Sequence, residues 1–520
     1  PQLFPAVFGV VDGICYRRFI PSDQRLDGPV HVPSDIGRQI AGHLATRRAV
    51  LPAAADRSIH LAGRQPAWEI AARIVSRAFG RYAMAFRPTV VDPLLRRMLE
   101  SPEPSITDGS PSRSAWFSGD PGSAVAIKVD FAEGPFGHFD LASYDALSDL
   151  AAAAVSFDAP DVTSSLRSEY TRLTGNAIDP TRWMLYQLVA IWDNERRGQR
   201  SSHATRRASA RVLQAFFTEV YLQGLPAATG RLVALDLDGC LESSTFGFPA
   251  TTRAGAMALR ALRAHGYRVL LASGRCRDEV AERCRTYGLA GGVAEYGAYV
   301  VPPLPHQPVS LLRPESSGRL ETLRDEVSRR GGLEVDPDFA GVVRIRAIDR
   351  SRRSTGIGVP AAIDIVQAAE VSEASIRVID GEDQTDLSPT EVDKGLALRF
   401  LLDHYYESVG QPLACAVGDS ESDRSMFAIA ERAYAPGNAT LGPSVEGIRV
   451  ARERYQLGCV AAASDLIGHA VGSCPTCAAP PMSSATEAVI TLLSLQEGGS
   501  LHALSTIAKL CRSAARSAER

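Results

Sequence analysis

The stretch that decides the fold is Leu232-Val233-Ala234-Leu235-Asp236-Leu237-Asp238-Gly239. An apolar run that closes on two carboxylates and a glycine predicts a strand ending at the carboxyl edge of a sheet, where open α/β folds bind ligands. Side chains two residues apart on a strand share a direction, so Asp236 and Asp238 are close like charges. They stay ionised only if a cation or a proton intervenes. The alternative is a strand that runs into an ordinary Asp-Gly turn.

Three later polar groups extend this pattern, and two of them also follow apolar runs. They are Ser273-Gly274-Arg275, Asp393-Lys394-Gly395 and Gly418-Asp419-Ser420-Glu421-Ser422-Asp423. Ser273 and Gly274 predict a phosphate contact from a hydroxyl and a helix amino terminus, and Lys394 offers one compact positive charge. Each group also has an ordinary explanation when taken singly. Ser273 would cap a helix, Lys394 would be a solvated lysine, and Asp419 and Asp423 would cap a helix. Together they predict a site at one sheet edge, where carboxylate oxygens favour Mg²⁺.

The segments DLDG, SGR, DKG and GDSESD resemble, in order, the four signature motifs of the haloacid dehalogenase superfamily over about residues 230–470. The resemblance implies a Mg²⁺-dependent phosphatase in which Asp236 is the nucleophile and Asp238 the general acid and base. It implies that the transferring phosphate is bound by Ser273, Gly274 and Lys394. It also implies that the metal is held by Asp236, the main-chain carbonyl of Asp238, Asp419 and Asp423. Cys240 departs from the usual Thr or Val, which predicts sensitivity to thiol oxidants if the thiol is exposed.

Alternating strand and helix signals predict an α/β fold, with a Rossmann-like parallel sheet as its core and a separate amino-terminal α+β domain. The predicted domains are 1–225, a core of 230–301 with 388–472, an inserted α/β cap of 302–387 and a helical tail of 473–520. The cap resembles that of the Cof-like and sucrose-phosphate phosphatase branch. Glu295-Tyr296-Gly297-Ala298 stands where many of that branch read Glu-Asn-Gly-Ala. The resemblance implies a small phosphorylated metabolite as substrate, such as a sugar phosphate.

Two alternatives stay open at this point. A phosphosugar mutase of the phosphomannomutase type shares the same motifs and a similar cap. A sensor or scaffold role remains open for the amino-terminal half. That half faintly resembles aminoglycoside-phosphotransferase-like kinases through Asp108-Gly109-Ser110 and Ile127-Lys128-Val129-Asp130-Phe131. Ser110 and Ala115 replace a proton-accepting Asp and a metal-binding Asn, so such a relative would be inactive or repurposed. An unrelated domain is the alternative.

Composition narrows the classes of partner. A net charge of −3 over 520 residues gives no case for nucleic acid or membrane binding, and no apolar stretch is long enough to cross a bilayer. The predicted partner is a small molecule, and the amphipathic tail segments predict packing on the core or on a second copy. Nine cysteines, an odd number, predict free thiols and a cytoplasmic location. Unliganded thiols are also predicted at the tail, with a zinc site as the alternative reading of Cys459, His469, Cys474 and Cys477.

Overall fold

The computed structural model describes residues 4–58, 65–77, 86–119, 125–129, 143–198, 200–244, 247–348, 354–381, 383–406, 410–442, 446–495, 497 and 507–508. The chain divides into two compact units. The first is Pro1–Phe216 with Thr245–Phe248 and Met482–Arg520, and the second is Phe217–Ser244 with Pro249–Pro481. The residues from 482 onward, predicted as a separate tail, therefore group with the amino-terminal unit.

The first unit is mainly helical in the part that the structure describes. Its helices are Ile36–Val50 (α1), Ala67–Ser76 (α2), Asp92–Leu99 (α3), Ala146–Phe157 (α4), Pro160–Thr174 (α5), Pro180–Arg196 (α6), Ser202–Phe217 (α7) and, late in the chain, Ser484–Leu493, with shorter turns at Ser22–Gln24, Arg87–Val91 and Arg113–Ala115. Two antiparallel strand pairs accompany them, Val7–Val11 (β1) with Ile14–Arg17 (β2) and Trp116–Phe117 (β3) with Ile127–Lys128 (β4). The sequence predicts two amphipathic segments in the tail, 485–495 and 501–515, and the second lies almost wholly outside the described residues.

An eight-stranded sheet forms the core of the second unit. Its strands are Leu232–Asp236 (β5), Arg268–Ala272 (β6), Gly291–Ala294 (β7), Tyr299–Val301 (β8), Val309–Ser310 (β9), Cys415–Val417 (β15), Ala433–Ala435 (β16) and Ile448–Val450 (β17). Their order is β17-β16-β15-β5-β6-β7-β8-β9, parallel from β17 to β7 and antiparallel beyond. Every residue of β5 is buried, as parallel strands covered on both faces require. The predicted α/β class is confirmed.

Helices cover this sheet on both sides. They are Arg253–Ala264 (α8), Arg277–Tyr287 (α9), Lys394–Tyr405 (α12), Arg424–Phe427 (α13) and Gln456–Ile467 (α14), with short turns at Thr218–Leu222, Glu295–Gly297 and Glu421–Asp423. Leu398 and Leu401 of α12 pack with Leu232 and Ala234 of β5 in one buried cluster. None of the described helices combines the length and the apolar character that a membrane span needs.

The insertion has its own antiparallel sheet and two helices, Pro314–Arg329 (α10) and Val359–Ala368 (α11). Its strands are Leu333–Val335 (β10), Val343–Ile348 (β11), Ser354–Thr355 (β12), Ile376–Asp380 (β13) and Thr385–Pro389 (β14), in the order β10-β11-β14-β13 with β12 on β11, and a short turn at Glu373–Ser375 precedes β13. Leu320 and Leu323 of α10 share a buried core with Val343 and Ile345 of β11. The sequence predicts the cap over 302–387. In the structure its elements run from Pro314 to Pro389, because β9 still belongs to the core sheet.

Two chain segments connect the core with this insertion, hereafter the cap. One lies at residues 311–313, between β9 and α10, and the other at 390–393, between β14 and α12. The backbone N–H of Arg313 donates to Glu391 Oε1 at 3.2 Å. Glu391 also lies within 4.0 Å of the guanidinium groups of Arg313 and Arg319. The two connecting segments of the cap are therefore held together by a hydrogen bond and by ion pairs.

Candidate active site

The predicted site residues follow three neighbouring strands. In the register of the sheet, Asp236 stands opposite Ala272 of β6, and Leu235 stands opposite Val417 of β15. Ser273 directly follows Ala272, and Asp419 comes two residues after Val417. Since these strands are parallel, their carboxyl ends lie at one sheet edge. The topology therefore brings the first, second and fourth sequence motifs to the same place.

Lys394 joins this edge from the first turn of α12. Its Nζ donates to Asp236 Oδ1 at 2.8 Å and to Asp423 Oδ1 at 2.6 Å. Lys394 and Asp236 are 2% and 4% exposed, and Asp423 is fully buried. Asp393 caps α12 by accepting a hydrogen bond from the N–H of Leu396 at 2.8 Å, which fixes where the helix begins. The lysine predicted as a possible solvated side chain is thus buried between two carboxylates.

The second oxygen of Asp423 organises the loop after β15. It accepts hydrogen bonds from the N–H groups of Asp419 and Ser420, at 3.0 and 2.9 Å, and from Ser420 Oγ at 3.0 Å. Both Asp423 oxygens are therefore engaged within the protein. The sequence predicts Asp423 near the metal. In this structure it orients Lys394 and the backbone of Asp419 through these hydrogen bonds.

Asp419 packs against the backbone of the first motif. A Cβ placed on Gly239, whose φ is +77°, would come 1.8 Å from Asp419 Oδ2, so only glycine fits there. Asn438 donates from Nδ2 to Asp419 Oδ2 at 3.0 Å and to the carbonyl of Gly239 at 3.1 Å. Asn438 in turn accepts from the N–H of Tyr455 at 2.6 Å. The Asp419 carboxylate is thereby held beside the end of β5.

Negative charge exceeds positive charge in this cluster. Burial raises the pKa of Asp236 well above its ordinary value, and repulsion from Asp423 and Asp419 adds to this, although Lys394 opposes it. Burial, followed by repulsion from Asp423, raises the pKa of Asp419 to about 7. Burial alone would lower the pKa of Lys394, but Asp236 and Asp423 raise it. Three buried or half-buried carboxylates around one ammonium group leave a deficit of positive charge.

A divalent cation fits this deficit. Carboxylate oxygens of Asp236 and Asp419, together with Cys240 Sγ, lie within 4.8 Å of one another. The hard oxygen donors suit Mg²⁺, which takes one or two carboxylates and completes its shell with water and substrate phosphate. Burial raises the pKa of the Cys240 thiol well above its ordinary value, and Mg²⁺ prefers oxygen to sulphur donors. Cys240 is also fully buried, so the exposure on which its predicted sensitivity to oxidants depended is lacking.

Asp238 is directed away from the lysine, toward Arg275. Arg275 donates from Nε to Asp238 Oδ2 at 2.8 Å and from Nη2 to Asp238 Oδ1 at 2.5 Å. The Asp238 side chain is 52% exposed, unlike that of Asp236. Desolvation acts to raise the pKa of Asp238, but the charge and hydrogen bonds of Arg275 outweigh it and lower the pKa to about 2. In this arrangement Asp238 is an ionised carboxylate.

Ser273 and Gly274 form the turn between β6 and α9. Ser273 is fully buried, and its Oγ accepts a hydrogen bond from the N–H of Arg275 at 3.1 Å. A Cβ on Gly274 would come 2.4 Å from the ring of Tyr296, so the glycine allows that ring to approach. Helix α9 begins only at Arg277, so Gly274 precedes the helix instead of opening it.

Two cap residues reach this turn. Arg344 of β11 donates to both oxygens of Asp386 of β14, at 2.8 and 2.7 Å, and to the carbonyl of Gly274 at 3.2 Å. Tyr296 Oη donates to Asp386 Oδ2 at 2.8 Å. Arg344 and Asp386 are both buried. The cap thus places a guanidinium group directly beside the Ser273 turn.

Glu295 makes a second connection from core to cap. Its carboxylate accepts from the N–H groups of Ala340 and Gly341 in the cap, at 3.1 and 2.6 Å, and from Arg277 N at 3.2 Å. Glu295 and Tyr296 both have positive φ, 52° and 57°. Such backbone costs of order 1–3 kcal/mol per residue and persists where the surroundings fix it.

The first unit has a separate buried polar cluster around Asp108. His43 Nε2 lies 2.7 Å from Asp108 Oδ2, and Lys128 Nζ lies 3.2 Å from Asp108 Oδ1. Asp149 accepts from the N–H groups of Asp108 and Gly109, at 2.5 and 3.1 Å. Burial, then repulsion from Asp108, raises the pKa of Asp149 to about 7. The faint kinase resemblance stays a prediction, since Asp130 and Phe131 of its second segment lie outside the described residues.

Several functional contacts were not assigned from the sequence. Arg275 is the last residue of the SGR segment and Asn438 lies beyond the GDSESD segment, and neither has a role predicted from the sequence. Arg344 lies between Val343 and Ile345, and the strand of Asp386 mixes polar and apolar residues, so neither carries a local signal of a site. Their partnership depends on the pairing of β11 with β14, in which Arg344 stands opposite Asp386. Only strand register could have revealed it.

Comparison with known proteins agrees with this description of the second unit. Residues 365–442 match the family model for haloacid dehalogenase-like hydrolases, and this segment contains Lys394, Asp419, Asp423 and Asn438. A search of curated proteins finds no sequence match.

Solved structures with a similar region include three from different organisms. The trehalose-6-phosphate phosphatase carboxyl-terminal domain of C. albicans is 14% identical, with a TM-score of 0.34, over 50% of this chain and 97% of that one. A haloacid dehalogenase-like hydrolase from B. subtilis is 16% identical, with a TM-score of 0.35, over 46% and 99%. Another, from Bacteroides thetaiotaomicron, is 21% identical, with a TM-score of 0.31, over 42% and 94%.

Proposed function

We propose that this chain, a member of the haloacid dehalogenase-like hydrolases through its second unit, is a phosphatase acting on a small phosphorylated metabolite. The observation that carries the proposal is the buried Asp236–Lys394–Asp423 arrangement beside Asp419. It offers a carboxylate nucleophile, a fixed ammonium group and the two carboxylate oxygens of Asp419 at one sheet edge. Such an edge is where an α/β sheet receives its ligand.

Asp236 would attack phosphorus and displace the alcohol of the ester. The bond formed joins an Asp236 oxygen to phosphorus, and the bond broken joins phosphorus to the leaving oxygen. Lys394 would offset the charge that spreads over the phosphoryl oxygens. Its two carboxylate partners raise its pKa, so it remains an ammonium group at any working pH. Ser273 would supply a hydroxyl donor to the same phosphoryl group.

Mg²⁺ would be held by Asp236, Asp419 and the main-chain carbonyl of Asp238. When bound, it supplies the positive charge that this cluster lacks and orients the phosphate. Asn438 and Asp423 would keep the Asp419 carboxylate in place through the hydrogen bonds described above. The chain's own contribution is therefore a rigid set of oxygens, prepared before substrate arrives.

Asp238 would donate a proton to the leaving oxygen and later take one from the water that hydrolyses the aspartyl phosphate. As an ionised carboxylate paired with Arg275, it is ready for the second of these tasks. For the first, the contact with Arg275 must open so that Asp238 takes up a proton. Arg275 thus sets the protonation state of Asp238 without touching the phosphate.

The cap supports a polar substrate. Arg344, Asp386 and Tyr296 form a hydrogen-bonded group next to the turn that would bind phosphate. A guanidinium and a carboxylate in that position suit a hydroxyl-rich leaving group such as a sugar. We infer that a sugar phosphate is the preferred substrate class.

The test compares Asp236→Asn with the wild-type full chain on a panel of sugar phosphates and p-nitrophenyl phosphate, each with and without Mg²⁺. We expect Mg²⁺-dependent phosphate release by the wild type and a loss of at least about 10³-fold in the variant. Asp278→Asn, which changes an exposed carboxylate on α9, is the matched control and should hydrolyse at the wild-type rate. Undiminished hydrolysis by Asp236→Asn would remove the nucleophile from the proposal. Isomerisation of a sugar phosphate without phosphate release would show a mutase instead.

A further inference from the structure

A second group of metal-ligating side chains lies at the other edge of the core sheet. It consists of His265, His469, Cys474 and Cys477, whose ligand atoms all lie within 4.8 Å of one another. His265 ends α8 just before β6 begins, so it lies at the amino end of the parallel strands. The acidic cluster lies at their carboxyl ends. This group is therefore separate from the proposed phosphatase site.

The distances within the group lie within about 0.4 Å of those in a tetrahedral zinc site. The Nε2 atoms of His265 and His469 are 3.2 Å apart, and His265 Nε2 is 3.5 Å from Cys474 Sγ. The sulphur atoms of Cys474 and Cys477 are 3.4 Å apart. A tetrahedron with zinc–sulphur bonds of about 2.3 Å and zinc–nitrogen bonds of about 2.0 Å has edges of about 3.3 to 3.8 Å. A disulfide would need about 2.05 Å between the sulphurs.

Hydrogen bonds around the group prepare these atoms as ligands. His469 Nδ1 lies 2.9 Å from the carbonyl of Ala470, so it carries the ring proton and leaves Nε2 with a free lone pair. Zinc-bound histidines commonly make such a bond to a carbonyl. The N–H of Gly472 donates to Cys477 Sγ at 3.2 Å.

The surrounding fold holds the four side chains together. Gly468 ends α14 with a φ of +79°, which turns the chain so that His469 meets the end of α8. Arg260 of α8 donates to the carbonyl of Ala478 at 2.7 Å, which fastens the Cys474–Cys477 turn to the same helix. Cys477 is fully buried. The ligands thus come from two helix ends and one turn, each restrained independently.

We propose that His265, His469, Cys474 and Cys477 bind one structural zinc ion. Two thiolates and two imidazoles are donors that zinc prefers over Mg²⁺. Four protein ligands fill a tetrahedral site, so this ion stabilises the fold and takes no part in the hydrolysis. The zinc alternative to unliganded thiols, as drawn from the sequence, names Cys459. In the structure Cys459 is buried and hydrogen-bonded with Cys240, and His265 takes its place in the group.

The test measures metal content in the purified full chain, prepared with reductant and without chelator. We expect one zinc ion per chain by mass spectrometry, whatever the phosphatase assay shows. Replacement of zinc by Co²⁺ should give a thiolate-to-cobalt charge-transfer band and the visible bands of tetrahedral cobalt. These wild-type measurements do not depend on the folding of any variant. A chain that neither retains zinc nor binds zinc or Co²⁺ after reduction would overturn the proposal, as would a Cys474–Cys477 disulfide in the chain as purified.

Variants locate the ion. Cys474→Ala, Cys477→Ala and His469→Ala should each lose the bound zinc and the tetrahedral cobalt spectrum. Cys459→Ala is the matched control, a cysteine removed from the neighbouring helix α14, and should retain the full zinc content. Circular dichroism of each variant confirms that the chain is folded when its zinc is counted. Full zinc retention by a folded Cys477→Ala chain would contradict the proposed ligand set.

Discussion

At the residue scale, charge balance decides how the acidic cluster behaves. Lys394 has two carboxylate partners, while Asp419 has only hydrogen-bond donors that carry no charge among its contacts described above. A buried carboxylate without a compensating charge destabilises the folded chain, because desolvation favours its neutral form. The arrangement that would bind a cation therefore costs stability when no cation is bound.

This cost predicts an effect of Asp419→Asn. The folded-state pKa of Asp419 is raised from 3.8 to about 7, so the folded chain binds this proton more tightly than the unfolded chain does. The stability that this tighter proton binding gives the folded chain is thus lost as the pH rises from about 4 to 7. Without added Mg²⁺, Asp419→Asn should melt at a higher temperature than wild type at pH 8, with little difference at pH 4. Thermal unfolding at both pH values measures this.

The control for Asp419→Asn is Asp278→Asn, whose carboxylate is exposed and should leave the melting temperature unchanged at either pH. The Asp419 variant should also lose phosphatase activity, so stability and activity move in opposite directions. A variant no more stable than wild type at pH 8 would show that the cluster carries no excess negative charge. No chelator is used, so that the proposed zinc site stays intact.

Asp238 predicts a second effect, one that depends on the leaving group. A sugar alcohol leaves poorly without a proton, whereas p-nitrophenolate leaves readily as an anion. Asp238→Ala should therefore release a burst of p-nitrophenol while failing to cleave a sugar phosphate. Single-turnover kinetics with both substrates measures the difference. Equal losses of the first step for the two substrates would rule out a general-acid role for Asp238.

At the element scale, the pairing of β11 with β14 creates the buried Arg344–Asp386 pair. Breaking a buried pair leaves an uncompensated charge and costs about 3–5 kcal/mol. We therefore expect Asp386→Ala to lower the free energy of unfolding by about that amount. Urea denaturation measures it. Glu326→Ala, which removes a partner of the exposed Arg329, is the control and should leave the free energy of unfolding nearly unchanged. Similar losses for both variants would contradict this account.

Elements with strong end signals were predictable from the sequence. The sequence predicts helices over Arg277–Tyr287 and Lys394–Tyr405, and α9 and α12 have these bounds, because Gly288 ends one and Asp393 caps the other. The sequence predicts the next helix over 319–330, whereas α10 begins at Pro314, because proline is tolerated in a first helical turn and the polar residues around it give no periodic signal. Strands β16 and β17 have three residues each, too few for any periodicity to show.

The sequence could predict those residues of the candidate site that lie at the carboxyl ends of strands. Asp236, Ser273 and Asp419 follow apolar runs, so parallel topology alone brings them together. His265 could not be assigned, because one histidine at a helix end has no signal of its own. Its position beside His469 arises from the packing of α8 against α14, and α14 was itself missed. Contacts between distant helices are set by tertiary packing, which short-range patterns do not encode.

At the scale of the whole molecule, all of the proposed catalytic residues lie in the second unit. A fragment of residues 217–481 should therefore hydrolyse p-nitrophenyl phosphate at a rate close to that of the full chain. Steady-state kinetics on both proteins measures this, with Asp236→Asn in the fragment as the control for background activity. A folded but inactive fragment would assign a catalytic contribution to the first unit.

The tie between the cap's two connecting segments has a mechanical consequence. Two crossings held side by side by Glu391 leave the cap little freedom to slide or translate, and rotation about the line through them is the easiest displacement. The cap would turn about this line as on a hinge. Opening would break the contact of Arg344 with the carbonyl of Gly274 and the hydrogen bonds that Glu295 accepts from the cap. Opening would withdraw the guanidinium group and uncover the Ser273 turn in one movement, so admission of the ester and release of the alcohol would share a single gate.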